Sequence, residues 1–152
     1  MYYVDIERIE ARLNFLSTVI GALRELAGTG APGAEAPLLT HLAQERALLL
    51  AIEAVTDVGG YLIDGFMMRD AGSYEDIVDM LRTEGVLPAD AADGLKSLIA
   101  LRRPLMQDYM EWERKALRDD LGRTADLLER FRELVRDYVA KELEPFARGP
   151  GP

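Results

Sequence analysis

Apolar residues recur three and four positions apart through residues 4–27, where Ile6, Ile9, Leu13, Leu16, Ile20 and Leu23 form a seam nearly three heptads long. At 3.6 residues per turn this spacing puts them on one side of a helix that packs against another helix, with Phe15, Val19 and Leu26 widening the stripe. Glu7, Arg8, Glu10, Arg12, Arg24 and Glu25 fall largely outside it. The run Ala27-Gly28-Thr29-Gly30-Ala31-Pro32-Gly33 ends that helix and makes a loop. A second, long helix is predicted from about Pro37 to Met68. It carries Leu38, Leu42, Leu48, Leu49, Ile52, Val55, Val58, Leu62 and Phe66 on more than one side, as a central helix does.

One polar line crosses that apolar background: Arg46, Glu53, Asp57 and Asp64. Counted from Arg46, their offsets of 7, 11 and 18 return to nearly the same direction on a helix. Such a line is either a solvated stripe or the wall of a charged cleft, because unpaired buried charge is costly. Gly59-Gly60 weakens the same helix by about 1 kcal/mol per glycine relative to alanine, so a close crossing or a kink is expected there.

Asp70-Ala71-Gly72 breaks the chain, and Ser73-Tyr74-Glu75-Asp76 offers an N-cap with an acid three residues later. The short helix behind it bears Ile77, Met80 and Leu81 and stops at Gly85. Leu87-Pro88 opens a fourth helix, with Ala92, Leu95, Leu98, Ile99 and Leu101 inward, that delivers Arg102 at its end. The last helix runs from about Thr124 to Phe146 and gathers Leu127, Leu128, Phe131, Leu134, Val135, Tyr138 and Val139 on one face. No segment alternates apolar and polar residues as a half-buried strand does. The expectation is all-α: a five-helix up-and-down bundle forming one domain over residues 1–147, with a frayed tail at 148–152.

Composition narrows the chemistry. There is no cysteine and a single histidine, His41, so neither a thiolate site nor a multi-histidine metal site is expected, and no cofactor is called for. No apolar run reaches membrane-spanning length, and the start lacks the basic and apolar blocks of a secretory signal; a cytoplasmic, metal-free protein is the expectation. His41 stands near the start of the second helix and reads as a surface or capping residue. The formal net charge of −9 argues against broad nucleic-acid binding, which depends on neutralising phosphates. Yet six cations stand against three acids between Lys96 and Arg118, a focused basic region on an acidic body.

That region centres on Leu101-Arg102-Arg103-Pro104-Leu105-Met106-Gln107-Asp108-Tyr109. A guanidinium presents a planar fork of donors suited to phosphate, while Pro104 suits the first turn of a new helix, whose free amides would add to an anion site. The plainer reading is a solvated helix end with a basic pair. Trp112, the only tryptophan, either stacks a base or packs under the loop.

Arg102, four intervening residues, position 107, one residue and Tyr109 match the frame Arg-x4-His-x-Tyr of the HepT-like branch of the HEPN superfamily, which this chain resembles. Arg103 stands where asparagine is common and Gln107 where the histidine belongs. Glu45-Arg46-Ala47-Leu48-Leu49-Leu50-Ala51-Ile52-Glu53-Ala54, Ser73-Tyr74 and Gly85-Val86-Leu87-Pro88 extend the resemblance over roughly residues 40–112. It implies a helical bundle that dimerises so that two motifs line one cleft, with Arg102 and position 107 as catalytic residues. Arg103, Arg46, Glu53 and Asp57 would flank the cleft or bind phosphate. It further implies metal-independent cleavage of RNA, tRNA among the candidates, by a toxin whose antitoxin is an MntA-like nucleotidyltransferase that attaches AMP to Tyr109. Gln107 does not titrate between pH 5 and 8, so catalysis is expected to be attenuated and binding retained.

Overall fold

The computed structural model describes residues 2–28, 36–113 and 121–147. Among these the chain is helical throughout, with α1 (Ile6–Ala27), α2 (Leu38–Gly65), α3 (Tyr74–Thr83), α4 (Ala89–Ile99), a five-residue turn α5 (Arg102–Met106) and α6 (Leu121–Ala147). The five expected helices are present, and α5 is the short new helix that Pro104 suggested after the fourth. Most of the expected first loop, the charged segment after Glu113 and the tail lie outside the described residues.

The α1 seam is buried inside the chain: Ile9, Leu13, Leu16, Val19, Ile20 and Leu23 are at most 5% exposed. Helix α1 runs antiparallel to α2, with Arg12 beside Asp57, and antiparallel to α6, with Glu10 beside Arg136 and Arg24 beside Asp126. Two residues of the expected stripe are corrected: Ile6 and Phe15 are exposed, because they fall at the edges of the arc that α2 and α6 cover. Leu38 and Leu42 are exposed as well, at the first turns of α2. His41 is the reverse case. It is buried rather than a surface or capping residue, in a cluster with Gln44 and Glu45, and among the described residues its Nδ1 lacks a hydrogen-bond partner, as do both amide atoms of Gln44.

Local chemistry sets the helix ends. Ser73 Oγ accepts from the Asp76 amide, and the Asp76 carboxylate reaches back to the Gly72 amide, one residue beyond the usual capping-box partner. Helix α3 closes in a Schellman motif: Gly85 takes φ +82°, its amide bonds the Arg82 carbonyl, and the Val86 amide bonds Leu81. Helix α6 starts at Leu121, earlier than expected, because buried Leu121 and Ala125 extend the stripe of Leu128, Phe131 and Val135 across Gly122.

Of the glycine pair, Gly59 alone makes the close crossing. A Cβ there would run into the Cγ2 methyl of Ile77 on α3, whereas one on Gly60 would meet open space. Gly59→Ala is therefore expected to destabilise the fold by about 1–3 kcal/mol, since a β-branched neighbour has little freedom to retreat. Gly60→Ala should instead stabilise it by up to about 1 kcal/mol through helix propensity. Urea unfolding of the two variants checks this, and equal effects at both positions would refute the close crossing.

Candidate functional site

Helices α2, α3 and α5 meet at Arg102. The residue opens α5, whose Leu105 is buried and anchors the turn. Ala100 and Leu101, both in right-handed helical geometry, lead into it from α4, their amides bonding the Lys96 and Leu98 carbonyls. Pro104 sits in the first turn of α5, as its fixed φ suits. The amide-lined anion site expected at a new helix start is replaced by one short turn whose third residue has no N–H; the anchor here is cationic side chains.

The Arg102 side chain, 27% exposed, lies with its guanidinium carbon 4.3 Å from the centre of the Tyr74 ring. Its Nε stands 3.6 Å from Glu53 Oε1, too long for a hydrogen bond, and among the described residues that buried Nε has no hydrogen-bond partner. A partly exposed ion pair contributes about 0–1 kcal/mol and an arginine over a tyrosine about 0.5–1 kcal/mol. These contacts do more to hold the guanidinium in one plane than to stabilise the fold.

The α2 polar line is solvent-facing along its whole length: Arg46, Glu53, Asp57 and Asp64 are all exposed. Glu53 stands beside Arg102, while Asp57 instead pairs with Arg12 of α1 at 3.1 Å. Arg46 lies two turns before Glu53 on the same line. Arg103 and Gln107 are exposed, and Tyr109 is 53% exposed. The helix breaks at Gln107, after Pro104 rather than at it, so Tyr109 does not inherit the helical alignment with Arg102. Met106, Tyr109 and Met110 leave apolar surface open beside the motif. Trp112 packs against the core with its Nε1 buried, which places it under the loop rather than against a base. His41 precedes Glu53 by 12 residues, about 18 Å along α2, so it is not at Arg102.

Tyr74 and Arg12 were not foreseen as parts of the site. Each contact joins residues far apart in the chain, 28 apart for Arg102 and Tyr74, and 45 apart for Arg12 and Asp57. No local pattern announces such a pair. Among the described residues no group of three or more His, Asp or Glu side chains is placed to hold a metal ion, and no helix is long and apolar enough to cross a membrane.

The family described as Ribonuclease HepT-like matches residues 16–135, and the chain belongs to it. It is 36% identical over 145 residues to "Putative RNase YutE" of Bacillus subtilis (strain 168), covering 95% of this chain and 96% of that protein. The solved structure of YutE, described as a cytosolic protein of unknown function, superposes with a TM-score of 0.81 at 35% identity over 100% of this chain and 99% of that one. A tri-AMPylated Shewanella oneidensis HEPN toxin, solved in complex with MNT antitoxin, superposes with a TM-score of 0.77 at 16% identity, over 86% of this chain and 97% of that one. The last likeness is one of fold.

Because the Glu53 contact is half exposed, Glu53→Gln is expected to change unfolding free energy by less than about 1 kcal/mol. A cooperative loss of several kcal/mol on denaturant titration would show instead that the pair is structural.

Proposed function

We propose that this chain is the toxin-side subunit of a toxin–antitoxin pair, that it binds RNA through Arg102 and Arg103, and that it cleaves RNA poorly or not at all. The observation that carries this reading is the contrast within the motif. Arg102 is held by Tyr74 and Glu53, while position 107 offers an exposed carboxamide in place of a titrating group. In cleavage without a metal, the ribose 2′-hydroxyl attacks the adjacent phosphorus, and two things are needed. A fixed cation must stabilise the charge that builds on the phosphoryl oxygens, and a group titrating near neutrality must move the proton. Arg102 meets the first need. Gln107 cannot meet the second, and the only histidine in the chain is buried some 18 Å along α2 from Glu53.

Wild-type protein, Gln107→His and Arg102→Ala are to be compared on total tRNA. Loss of general acid–base help lowers rates by about 10²–10⁴-fold, so Gln107→His is expected to raise cleavage by about that factor and Arg102→Ala to abolish it. Robust wild-type cleavage that Gln107→His does not increase would overturn the attenuation.

The second reading is a non-catalytic partner and AMP acceptor for an MntA-like nucleotidyltransferase, favoured by the exposure of Tyr109 on the loop after α5. Transfer to a phenol needs that oxygen to be reachable and does not need a histidine at 107. In both readings the protein is cytoplasmic and works as a homodimer. The α1 seam is consumed inside the fold and offers no face to a second copy, so the homodimer is supported by the family resemblance and by the exposed apolar surface of Met106, Tyr109 and Met110 beside the motif. Co-expression with a cognate transferase is expected to add one or more AMP masses to the intact protein, mapping to Tyr109 and lost in Tyr109→Phe. AMP found only at other residues, or none in the presence of an active transferase, would reject the acceptor role.

A further inference from the structure

The arrangement at Arg102 occurs twice. Arg12 of α1 donates from Nε to Asp57 Oδ2 at 3.1 Å, and its guanidinium carbon lies 4.9 Å from the centre of the Tyr61 ring. Arg102 of α5 stands beside Glu53 and over Tyr74 in the same way. In each case a guanidinium rests on a tyrosine face and is held by a carboxylate of α2. The two carboxylates are four residues apart, one turn of helix or about 6 Å along the axis. The two arginine side chains are about one-third exposed or less, which restrains them and still leaves an edge to solvent.

We infer that Arg12 is a second phosphate contact, taking the phosphodiester next to the one bound at Arg102 on a single RNA strand. The inference rests on the RNA-binding reading above and extends its site from the motif onto α1. Restraint favours it: a guanidinium already held in one plane loses little side-chain entropy when a ligand arrives. Arg12 binds Asp57 through Nε and the Arg8 carbonyl through one terminal nitrogen, which leaves its other terminal nitrogen to a ligand among the described residues. Arg8, 5.9 Å from the same Tyr61 ring, adds positive charge at that end. Glu53 and Asp57 cancel much of the net charge of the pair of arginines. Recognition must then come from donor geometry more than from bulk potential, and lysine, a point charge without a planar fork, is a poor substitute. The ligand class is a single strand with at least two consecutive phosphodiesters.

The test measures dissociation constants by isothermal titration calorimetry for two RNA ligands, a dinucleotide with one phosphodiester and a trinucleotide with two. Arg102→Ala is expected to weaken both. Arg12→Ala should leave the dinucleotide unchanged and weaken the trinucleotide about ten-fold, removing the gain from its second phosphate. The slope of log affinity against log salt for the trinucleotide should fall in magnitude by about 0.7. Arg12→Lys should behave like Arg12→Ala. Arg24→Ala removes the same charge from α1 about 18 Å away, where Arg24 pairs with Asp126, and should change neither ligand. Thermal melts of the Arg12 variants should match wild type, since the pair they break is a surface one. Trinucleotide binding that depends on Arg102 but survives Arg12→Ala overturns this inference alone. A loss of equal size for both ligands in Arg12→Ala, or wild-type binding by Arg12→Lys, also overturns it. Failure of wild-type protein to bind either ligand overturns this inference and the RNA-binding reading together.

Discussion

The missing side chain of Gly59 is the constraint on which the site depends. It lets α3 lie against the middle of α2, with the Ile77 methyl where a Cβ would otherwise be and Leu81 packed beside it. Tyr74 precedes Ile77 by three residues, so it shares that face of α3 and is carried toward α2 with it. The Schellman closure at Gly85 then turns the chain into α4, and α4 delivers Arg102 over the ring of Tyr74. A backbone contact deep in the bundle thus fixes a cation at its surface. The weakness of the Arg102 contacts themselves is consistent with this: positioning comes from the packing below, and the polar groups above only select one plane of the guanidinium.

Helix α2 does two jobs that are usually divided between helices. Its apolar residues Leu48, Ile52, Val55, Val58 and Leu62 are wholly or nearly wholly buried, as in a helix surrounded by others. One exposed line of charge nevertheless runs along it, and two of its carboxylates, Asp57 and Glu53, are occupied by arginines from α1 and α5. An acidic chain can in this way hold cations at fixed points without becoming a general polyanion binder. Its net charge of −9 repels nucleic acid at long range. Any affinity for RNA must then come from a few well-placed forks at short range.

Most of the fold is legible in the sequence because burial follows the helical period. The inward residues of α1, α4 and α6 can be read from spacing alone, and the caps of α3 from Ser73, Asp76 and Gly85. Errors fall where period is a poor guide. Phe15 is apolar but lies at the margin of the covered arc, and Gly122 looks like a breaker although Leu121 and Ala125 carry the stripe across it. His41 looks like a surface residue in sequence, yet it lies buried with Gln44 and Glu45, where α1 ends and α2 begins. The proximity of Glu53 to Arg102 is hinted at by the charged line together with the family resemblance. That of Tyr74 and Arg12 to the α2 carboxylates is not, since it comes from helix crossings and not from any run of residues.

Position 107 sits just past the end of α5, where the chain leaves helical geometry. A residue there is held by a single turn of helix and one hydrogen bond from its backbone N–H to the Arg103 carbonyl, and its side chain is exposed. Positioning a proton-transferring group within hydrogen-bond reach of a reacting oxygen requires more support than this turn supplies by itself. Arg102, by contrast, is oriented within one chain by α2 and α3 acting together. The two halves of the motif therefore differ in how much they ask of a second protein surface. Under the proposed function, the cation that would capture phosphate is fixed within the single chain, whereas position 107 lies on an exposed loop beside Met106, Tyr109 and Met110. If the protein binds RNA as proposed, this division gives a physical reason for phosphate binding not to depend on a histidine at 107: the two functions are mechanically separate even though only four residues lie between them in sequence.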